Sequence, residues 1–402
     1  MHINMQQLRR LRLTGLLMWS SWLVIFFLCG LDSFRAHGVC LHRRHIPAMF
    51  NFGDSNSDTG GLGAAFGEAQ PPNGMTFFHT PSGRYCDGRL LIDFIAEELG
   101  LPYLSAYLQS AGSNFQRGAN FATAGSTIRV QNTTLAQSGF SPFSLGVQVI
   151  QFAQFKERSL IYNMQEPFSS ILPQRSHFDE ALYVLDIGQN DLTSGYFLNY
   201  THQQVRDSIP QVLNEFQGHV LALHGQGAKR FLIITTGPLG CLPYILTRLP
   251  YTRADLDRYG CAKPYNSMAR LFNRELRMTI AKLQQQMRNT TVVVVDGYKL
   301  KYNMFVNAAQ NGFQFTTKAC CGYGGGTYNF DPALGFCGSK PKRQDMLAKN
   351  MTYNLCQDPL TYINWDGVHY TEAGNHGVAR GLFSGRYSVP MFSSGHFCDL
   401  FA

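Results

Sequence analysis

Four short apolar runs constrain the fold of this 402-residue chain more than any other feature. They are "IPAMFNF" (46–52), "ALYVLDI" (181–187), "RFLIITT" (230–236) and "TVVVVD" (291–296). Apolar residues fill each run continuously instead of alternating with polar ones, which is typical of parallel strands covered on both faces. The weaker run "RGANFATAG" (117–125) ends in the same way and is a candidate for a fifth strand.

Helical patterns lie between these runs. Asp87 is predicted to cap the first helix, and Pro210 predicts a kink or a late start in the second. Strands that alternate with helices predict a doubly wound α/β/α sandwich, because the units are too few for an eightfold barrel. The three predicted helices are 88–99, 203–224 and 265–287.

Two stretches, 126–145 and 316–362, show no clear periodicity. The second contains "ACCGYGGGTYNF", whose glycines are not followed by the "GK[ST]" of a phosphate loop. We interpret it as a surface excursion held by disulfides. No repeat or flexible linker divides the chain, so residues 39–402 are predicted to form a single domain.

The N-terminus has the layout of a secretory signal peptide. Arginines precede an apolar run (16–31), and "AHG" (36–38) offers small residues for cleavage. Residues 1–38 are therefore left out of the fold. Because the run is slightly long for a signal core and slightly short for a membrane span, an uncleaved anchor with the body in the lumen is the alternative.

The cysteines indicate an oxidising compartment. Ten are present, and no CxxC pair or HxxxH cluster points to a metal, so we predict disulfides and no metal site. Cys241 with Cys261 is the most local pairing in the centre of the chain. The adjacent Cys320 and Cys321 are expected to bond to different partners, because a bridge between neighbours strains the backbone. The candidates for disulfides are Cys241, Cys261, Cys320, Cys321, Cys337 and Cys356.

Four N-x-[ST] sequons, at Asn132, Asn199, Asn289 and Asn350, are predicted glycan sites if the chain is secreted. The net charge of +8 comes mostly from scattered basic residues. This pattern favours a solvated surface and no nucleic-acid partner. A membrane contact is expected only if the N-terminal segment is retained.

Polar motifs follow the apolar runs, at the strand ends where open α/β sheets bind ligands. They are "GDSNSD", "AGST" and "GQND", and "NWDGVH" follows near the C-terminus. The set supplies what acyl transfer needs: Ser55 as nucleophile, His369 as base and Asp366 to hold the imidazole. The backbone amides of Ser55 and Gly125 and the side-chain amide of Asn190 are the candidate oxyanion donors.

The blocks "FNFGDSNSDTGG", "GANFATAGST", "DIGQND" and "INWDGVHYTEAGN" resemble those of the plant GDSL esterase/lipase family, a branch of the SGNH hydrolases. The resemblance runs through residues 46–380 and includes "GPLGCLP" and "YGCAKPYN". It implies a flavodoxin-like three-layer α/β/α sandwich with a mostly parallel sheet. Position by position, it implies the same triad and the same oxyanion donors.

The chain departs from the family name at Asn56, where leucine is expected, and this difference bears on acyl or substrate preference more than on catalysis. Cys86 and Cys398 look like additions to the family's pattern, and no role is assigned to them. The motif "GDSNSDTGG" resembles a subgroup with early-nodulin-like esterases, acetyl esterases of glycosides and members described as fucosidases.

The sequence thus predicts a serine hydrolase that needs no cofactor and cleaves short-acyl esters, chiefly acetyl, on plant carbohydrates or glycosides. The alternatives are a polysaccharide (xylan) O-deacetylase in the Golgi lumen, a lipase on longer acyl chains, and a glycoside hydrolase. The last would use two carboxylates drawn from Asp54, Asp58, Asp191 and Asp366. A carbohydrate-binding protein without turnover is the non-enzymatic alternative. The expected location is extracellular, in the cell wall, or the Golgi membrane if the anchor is retained.

Overall fold

A computed structural model of the chain describes residues 46–132, 139–338 and 353–401. The predicted signal peptide (1–38) and the sequon at Asn350 lie outside the described residues. None of the helices in the described ranges is long and apolar enough to cross a membrane.

The core of the fold is a six-stranded sheet in the order β10-β5-β4-β3-β1-β2. Its strands are β1 (Met49–Gly53), β2 (Gly118–Asn120), β3 (Leu182–Asp186), β4 (Arg230–Ile234), β5 (Thr291–Val295) and β10 (Ser388–Val389). The first five are parallel, and β10 runs antiparallel along the edge of β5. The predicted apolar runs form β1, β3, β4 and β5, and the weaker run contains β2. The mostly parallel sheet and the α/β sandwich are therefore confirmed.

Two predictions about the helices are corrected. The helix that contains Pro210 begins at His202, before the proline, with Thr201 as its cap, so a late start is wrong. Asp87 does not cap its own helix, which begins at Leu91; its carboxylate accepts hydrogen bonds from the Thr76 hydroxyl and the Glu372 amide instead. The described helices are α1 (Gly61–Phe66), α2 (Leu91–Glu98), α3 (Leu145–Tyr162), α4 (Arg175–Asp179), α5 (Gln189–Phe197), α6 (His202–Gly225), α7 (Pro243–Arg248), α8 (Lys263–Gln286), α9 (Gly297–Val306) and α10 (Glu372–Phe383).

An aromatic cluster packs against β1, which lies between β2 and β3 in the sheet. The Phe50 ring stacks on Phe178 at 5.1 Å and meets Phe152 of α3 edge-on at 5.2 Å, all of them buried. Buried aromatic pairs of this kind stabilise a core beyond the area they bury. These contacts hold the strand that leads into the "GDSN" turn.

The aperiodic C-terminal stretch forms a small disulfide-linked unit. Here β6 (Phe315–Ala319) pairs with β9 (Tyr362–Asn364), and β7 (Cys321–Gly322) pairs with β8 (Asn354–Leu355). The structure bonds Cys320 to Cys356 and Cys321 to Cys337, so the adjacent cysteines have different partners.

The other cysteines of the described residues have two different states. Cys241 is bonded to Cys261, and Cys398 is disulfide-bonded as well. Cys86 is a buried free thiol. Disulfides of this number are typical of an oxidising compartment and indicate the secretory pathway.

Candidate active site

The candidate site lies where the order of the sheet reverses. Strand β1 pairs with β2 on one side and with β3 on the other. In open α/β sheets, ligands bind beyond the carboxyl ends of the strands at such a switch point. Ser55 follows β1, Gly125 follows β2, and Asn190 lies in the first turn of α5, directly after β3.

A short loop after β9 carries the predicted acid and base. The Nδ1 nitrogen of His369 lies 2.7 Å from Oδ2 of Asp366, and the other carboxylate oxygen accepts the backbone amides of His369 and Val368. Asp366 is 1% exposed. Burial opposes its ionisation, but the adjacent His369 and these hydrogen bonds outweigh that cost, and the pKa of Asp366 lies below its ordinary value. The carboxylate is therefore charged and fixed against the ring.

The opposite nitrogen of this imidazole, Nε2, is buried and has no hydrogen-bond partner among the described residues. A buried polar atom without a partner costs free energy and calls for an explanation. With Nδ1 bound to Asp366, Nε2 is the atom left to accept a proton. This is the arrangement that a general base requires.

Tyr85 packs beside the ring of His369 and lies near the turn of Ser55. Its ring lies 5.5 Å from the His369 ring. Burial and the charges of Asp58 and Asp366 raise the pKa of its hydroxyl. Since Asp58 belongs to the "GDSNSD" turn, Tyr85 packs near both segments of the candidate triad. Sequence reasoning did not identify Tyr85.

The backbone amides of Ser55 and Gly125 donate to no acceptor within residues 46–132, 139–338 and 353–401. Gly125 has a φ of +79°, and a Cβ there would lie 2.8 Å from the Gly139 carbonyl oxygen. The left-handed conformation and the crowded neighbour both require glycine. Two amides at the end of the sheet that donate to none of the described residues have the chemistry of an oxyanion hole.

The side chain of Asn190 bridges the two turns. Its Nδ2 atom donates to the Ser126 carbonyl at 2.9 Å and lies 3.4 Å from Oδ2 of Asp54. Ser126 is the neighbour of Gly125, and Asp54 is the neighbour of Ser55. The three predicted oxyanion donors are thus brought to one place.

Gln148 of α3 holds the same turns together and was missed by sequence reasoning. Its fully buried side chain accepts from the Gly53 amide at 2.9 Å and donates to the Gly53 carbonyl at 2.8 Å. It also donates to the Ser126 hydroxyl at 3.1 Å. A single amide therefore sets the end of β1 relative to the turn that contains Gly125. No short motif marks a glutamine in a helix for this task.

The four carboxylates considered for glycoside hydrolysis all accept hydrogen bonds from other groups of the protein. Asp58 accepts four backbone amides, those of Gly60, Gly61, Leu62 and Ala124, at 2.5–3.1 Å. Asp191 accepts the amides of Ile128 and Arg129. Asp366 is engaged with His369, and Asp54 accepts the amide and the side chain of Asn56. All four carboxylates are nearly inaccessible to solvent.

A cavity of about 550 Å³ opens elsewhere, between α6 and α8. None of the candidate catalytic residues lines it. Three of the sequon asparagines, Asn132, Asn199 and Asn289, are exposed at the surface.

A known protein family matches the part of the chain that contains this fold and these motifs. The model of the GDSL-like lipase/acylhydrolase family matches residues 49–382. The chain belongs to this family, as its motifs indicated, and it is a carboxylic ester hydrolase.

Several plant proteins are similar over most of their length. The chain is 50% identical to "GDSL esterase/lipase ACHE" of Zea mays, covering 86% of this chain and 87% of that protein. It is 49% identical to "Alpha-L-fucosidase 3" of Arabidopsis thaliana, covering 83% and 89%. With "GDSL esterase/lipase ENOD8" of Medicago truncatula it shares 42% identity over 94% and 95%.

Proposed function

We propose that the protein hydrolyses short-acyl esters, chiefly acetyl esters, of plant carbohydrates or glycosides through an acyl-serine intermediate. One observation carries the serine mechanism: Nδ1 of His369 is bound to a buried carboxylate, while Nε2 has no hydrogen-bond partner in the described part of the chain. The backbone amides of Ser55 and Gly125, which donate to no acceptor in the described ranges, support it as candidate donors to the oxyanion.

In the first half-reaction, the Ser55 hydroxyl attacks the ester carbonyl carbon while His369 Nε2 takes the hydroxyl proton. The carbonyl π electrons move to oxygen, and the amides of Ser55 and Gly125 with the Asn190 side chain stabilise the resulting anion. As the carbonyl re-forms, the C–O bond to the alcohol breaks. His369 then gives its proton to the leaving alcohol, which leaves the acyl group on Ser55.

Water completes the cycle by the same path. His369 Nε2 removes a proton from water, the hydroxide attacks the acyl carbon, and the second tetrahedral anion uses the same donors. The bond to Ser55 breaks, and the serine oxygen recovers its proton from His369. Asp366 stays ionised throughout and stabilises the imidazolium in each half-reaction.

The preference for an acetyl group rests on the resemblance of "GDSNSDTGG" to the subgroup with acetyl esterases. The compartment that the disulfides indicate supports a carbohydrate or glycoside as the alcohol. We propose an extracellular location in the cell wall, with the Golgi membrane as the alternative if the N-terminal segment is kept.

The test is a substrate panel of p-nitrophenyl acetate, acetylated xylan, acetylated glycosides and triglycerides, with Ser55→Ala as the matched variant. The native protein should release acetate, and the variant should lose at least a thousandfold in kcat. A fluorophosphonate probe should label the native protein and leave the variant unlabelled. Equal turnover by both proteins would refute the serine mechanism, and a clear preference for triglycerides would refute the acetyl assignment.

A fucosidase activity is the second candidate, because one similar protein carries that name. The four candidate carboxylates are engaged in hydrogen bonds, which argues against paired-carboxylate chemistry here. Release of p-nitrophenol from p-nitrophenyl fucoside by Ser55→Ala would establish it as a separate activity. No release by either protein would eliminate it.

A further inference from the structure

Asn56, which stands where the family name has leucine, directs its side chain at the neighbouring Asp54. Its backbone amide lies 2.9 Å from Oδ1 of Asp54, and its side-chain Nδ2 lies 2.8 Å from the same oxygen. The amide of a leucine would still donate to Asp54, but its side chain has no donor. Half of this contact therefore depends on the identity of residue 56.

Asp54 is a carboxylate that needs such donors. It is 1% exposed, and Asp186 at the end of β3 faces it. Burial and then the charge of Asp186 raise the pKa of Asp54 to about 6, while the hydrogen bonds from Asn56 lower it. Lys301, whose Nζ lies 4.0 Å from Asp186, supplies a positive charge to this group, and Asp191 in α5 is another negative neighbour.

The second oxygen of Asp54 faces the oxyanion site. Oδ2 lies 3.4 Å from Nδ2 of Asn190, whose other contact is the Ser126 carbonyl at 2.9 Å. These two acceptors define the plane of the Asn190 amide. The contact with Asp54 is long, so the proton directed at it is available to a stronger acceptor, such as an oxyanion.

We propose that Asn56 is a positioning residue, which holds the Asp54 carboxylate so that Asp54 orients the Asn190 amide for the developing oxyanion. The inference rests on the proposed function, because it assigns Asn190 to that oxyanion. Within the described part of the chain, both hydrogen bonds of Asn56 go to Asp54. Asn56 acts by setting the direction and the charge of the Asp54 carboxylate, which accepts from the Asn190 amide.

Loss of the Asn56 side chain changes both properties. Oδ1 keeps one donor instead of two, and Asp54 retains its proton to higher pH because the ionised form has lost a hydrogen bond. A protonated Asp54 is a weaker acceptor, and the Asn190 amide is then free to turn towards Ser126. The defect should therefore grow as the pH falls from about 8 towards the range in which Asp54 titrates.

The experiment compares Asn56→Leu with Asn56→Ser, which keeps a hydroxyl donor, and with Asn214→Leu, an exposed asparagine on α6. On p-nitrophenyl acetate, Asn56→Leu should lose about tenfold in kcat with little change in KM, since misplacement of a catalytic group acts on the transition state. The acid limb of its kcat profile should move to higher pH. Asn56→Ser should fall between this variant and the native protein, and Asn214→Leu should match the native protein.

The decisive test repeats the Asn56→Leu substitution in a protein that already carries Asp54→Asn. In Asp54→Asn the substitution Asn56→Leu should produce no further shift of the pH profile, because the group that it acts on is gone. Melting temperatures measured for every variant identify loss of folding. In a folded Asn56→Leu variant, a native kcat and a native pH profile would overturn the inference. So would the same shift in the Asp54→Asn background.

Failure of the proposed function has a different signature. The proposed function fails if the native protein does not hydrolyse the acetate ester, or if Ser55→Ala hydrolyses it equally well. The positioning role then fails with it. If the native activity depends on Ser55 and Asn56→Leu behaves like Asn214→Leu, only the positioning role fails.

Discussion

The Nδ1 nitrogen of His369 lies 2.7 Å from Oδ2 of Asp366, and both residues belong to one tight loop after β9. The loop closes on itself through the Trp365 amide, which donates to the His369 carbonyl at 2.7 Å. The indole of Trp365 donates in turn to the Asn73 side chain. The carboxylate is thus built into the same loop as the imidazole, so the base that we propose is held in place before any reaction.

Asp366→Asn should lower kcat by about a thousandfold or more, with a much smaller change in KM. The amide has the size of the carboxylate, but it favours the wrong tautomer of His369 and does not stabilise the imidazolium. Steady-state hydrolysis of p-nitrophenyl acetate measures the effect, with Asp179→Asn as the control at an exposed aspartate. A loss below tenfold would remove Asp366 from the triad.

Gly125→Ala should lower kcat by about a hundredfold, because the added Cβ pushes the turn and its amide away from the oxyanion. Gly112→Ala is the matched control: its φ is +74°, close to that of Gly125, but a Cβ there meets nothing within 4 Å. Both variants should lose about 1 kcal/mol of stability from the left-handed backbone, and Gly125→Ala should lose more than this because its Cβ also meets the Gly139 carbonyl. Only Gly125→Ala should lose activity, and an equal loss in both would exclude a specific role for that amide.

The central sheet was predictable because its strands are covered on both faces, which leaves a continuous apolar run in the sequence. Their order was not, since nothing local shows that β1 lies between β2 and β3. Helix α3 was missed: it buries Gln148 between apolar neighbours, which interrupts its stripe. Polar residues that serve the site from within a helix are hidden from periodicity.

Asp87 shows the limit of reading a capping signal locally. It precedes an apolar helical stripe, as a cap should, yet its carboxylate binds the amide of Glu372 at the start of α10. The same limit explains Asn56, whose meaning depends on the burial of Asp54 and the distance to Asn190. The order of the motifs located the candidate site residues. The residues that hold them in place are recognised only from tertiary contacts.

The Cys320–Cys356 disulfide should contribute about 4 kcal/mol to stability in the chain-entropy model, since it closes a loop with a sequence separation of 36 residues. The Cys320 amide also donates to the Asn364 carbonyl, two residues before Asp366. The double substitution Cys320→Ser and Cys356→Ser should therefore lower both the melting temperature and kcat. Calorimetry and the acetate assay measure the two effects. An unchanged melting temperature would contradict the prediction.

The exposed sequon asparagines Asn132, Asn199 and Asn289 should carry glycans when the chain is made in a secretory host. Treatment with peptide N-glycosidase should lower the mass of the native protein. Substitution of each asparagine by glutamine should remove one step of that loss. Identical masses before and after treatment would contradict either the secretory route or the accessibility of the three sites.

Asp191 should make the protein less stable as the pH rises from about 4 to 7. The residue is buried beneath the site, and burial raises its pKa to about 7 against the hydrogen bonds from Ile128 and Arg129. Between the ordinary value of 3.8 and about 7, the folded chain binds a proton that the unfolded chain has lost. Stability from this group is therefore full below the lower value and falls as the pH rises through the upper one, by on the order of 4 kcal/mol.

The measurement is the melting temperature of the native protein and of Asp191→Asn at several pH values from 4 to 8. The difference, native minus variant, should decrease as the pH rises, because only the native protein has the carboxyl group that must ionise in a buried place. Asp207→Asn, at an exposed position on α6, is the control and should give a difference that does not change with pH. An Asp191→Asn difference that stays flat or increases would show that Asp191 is ionised in the folded protein throughout this range.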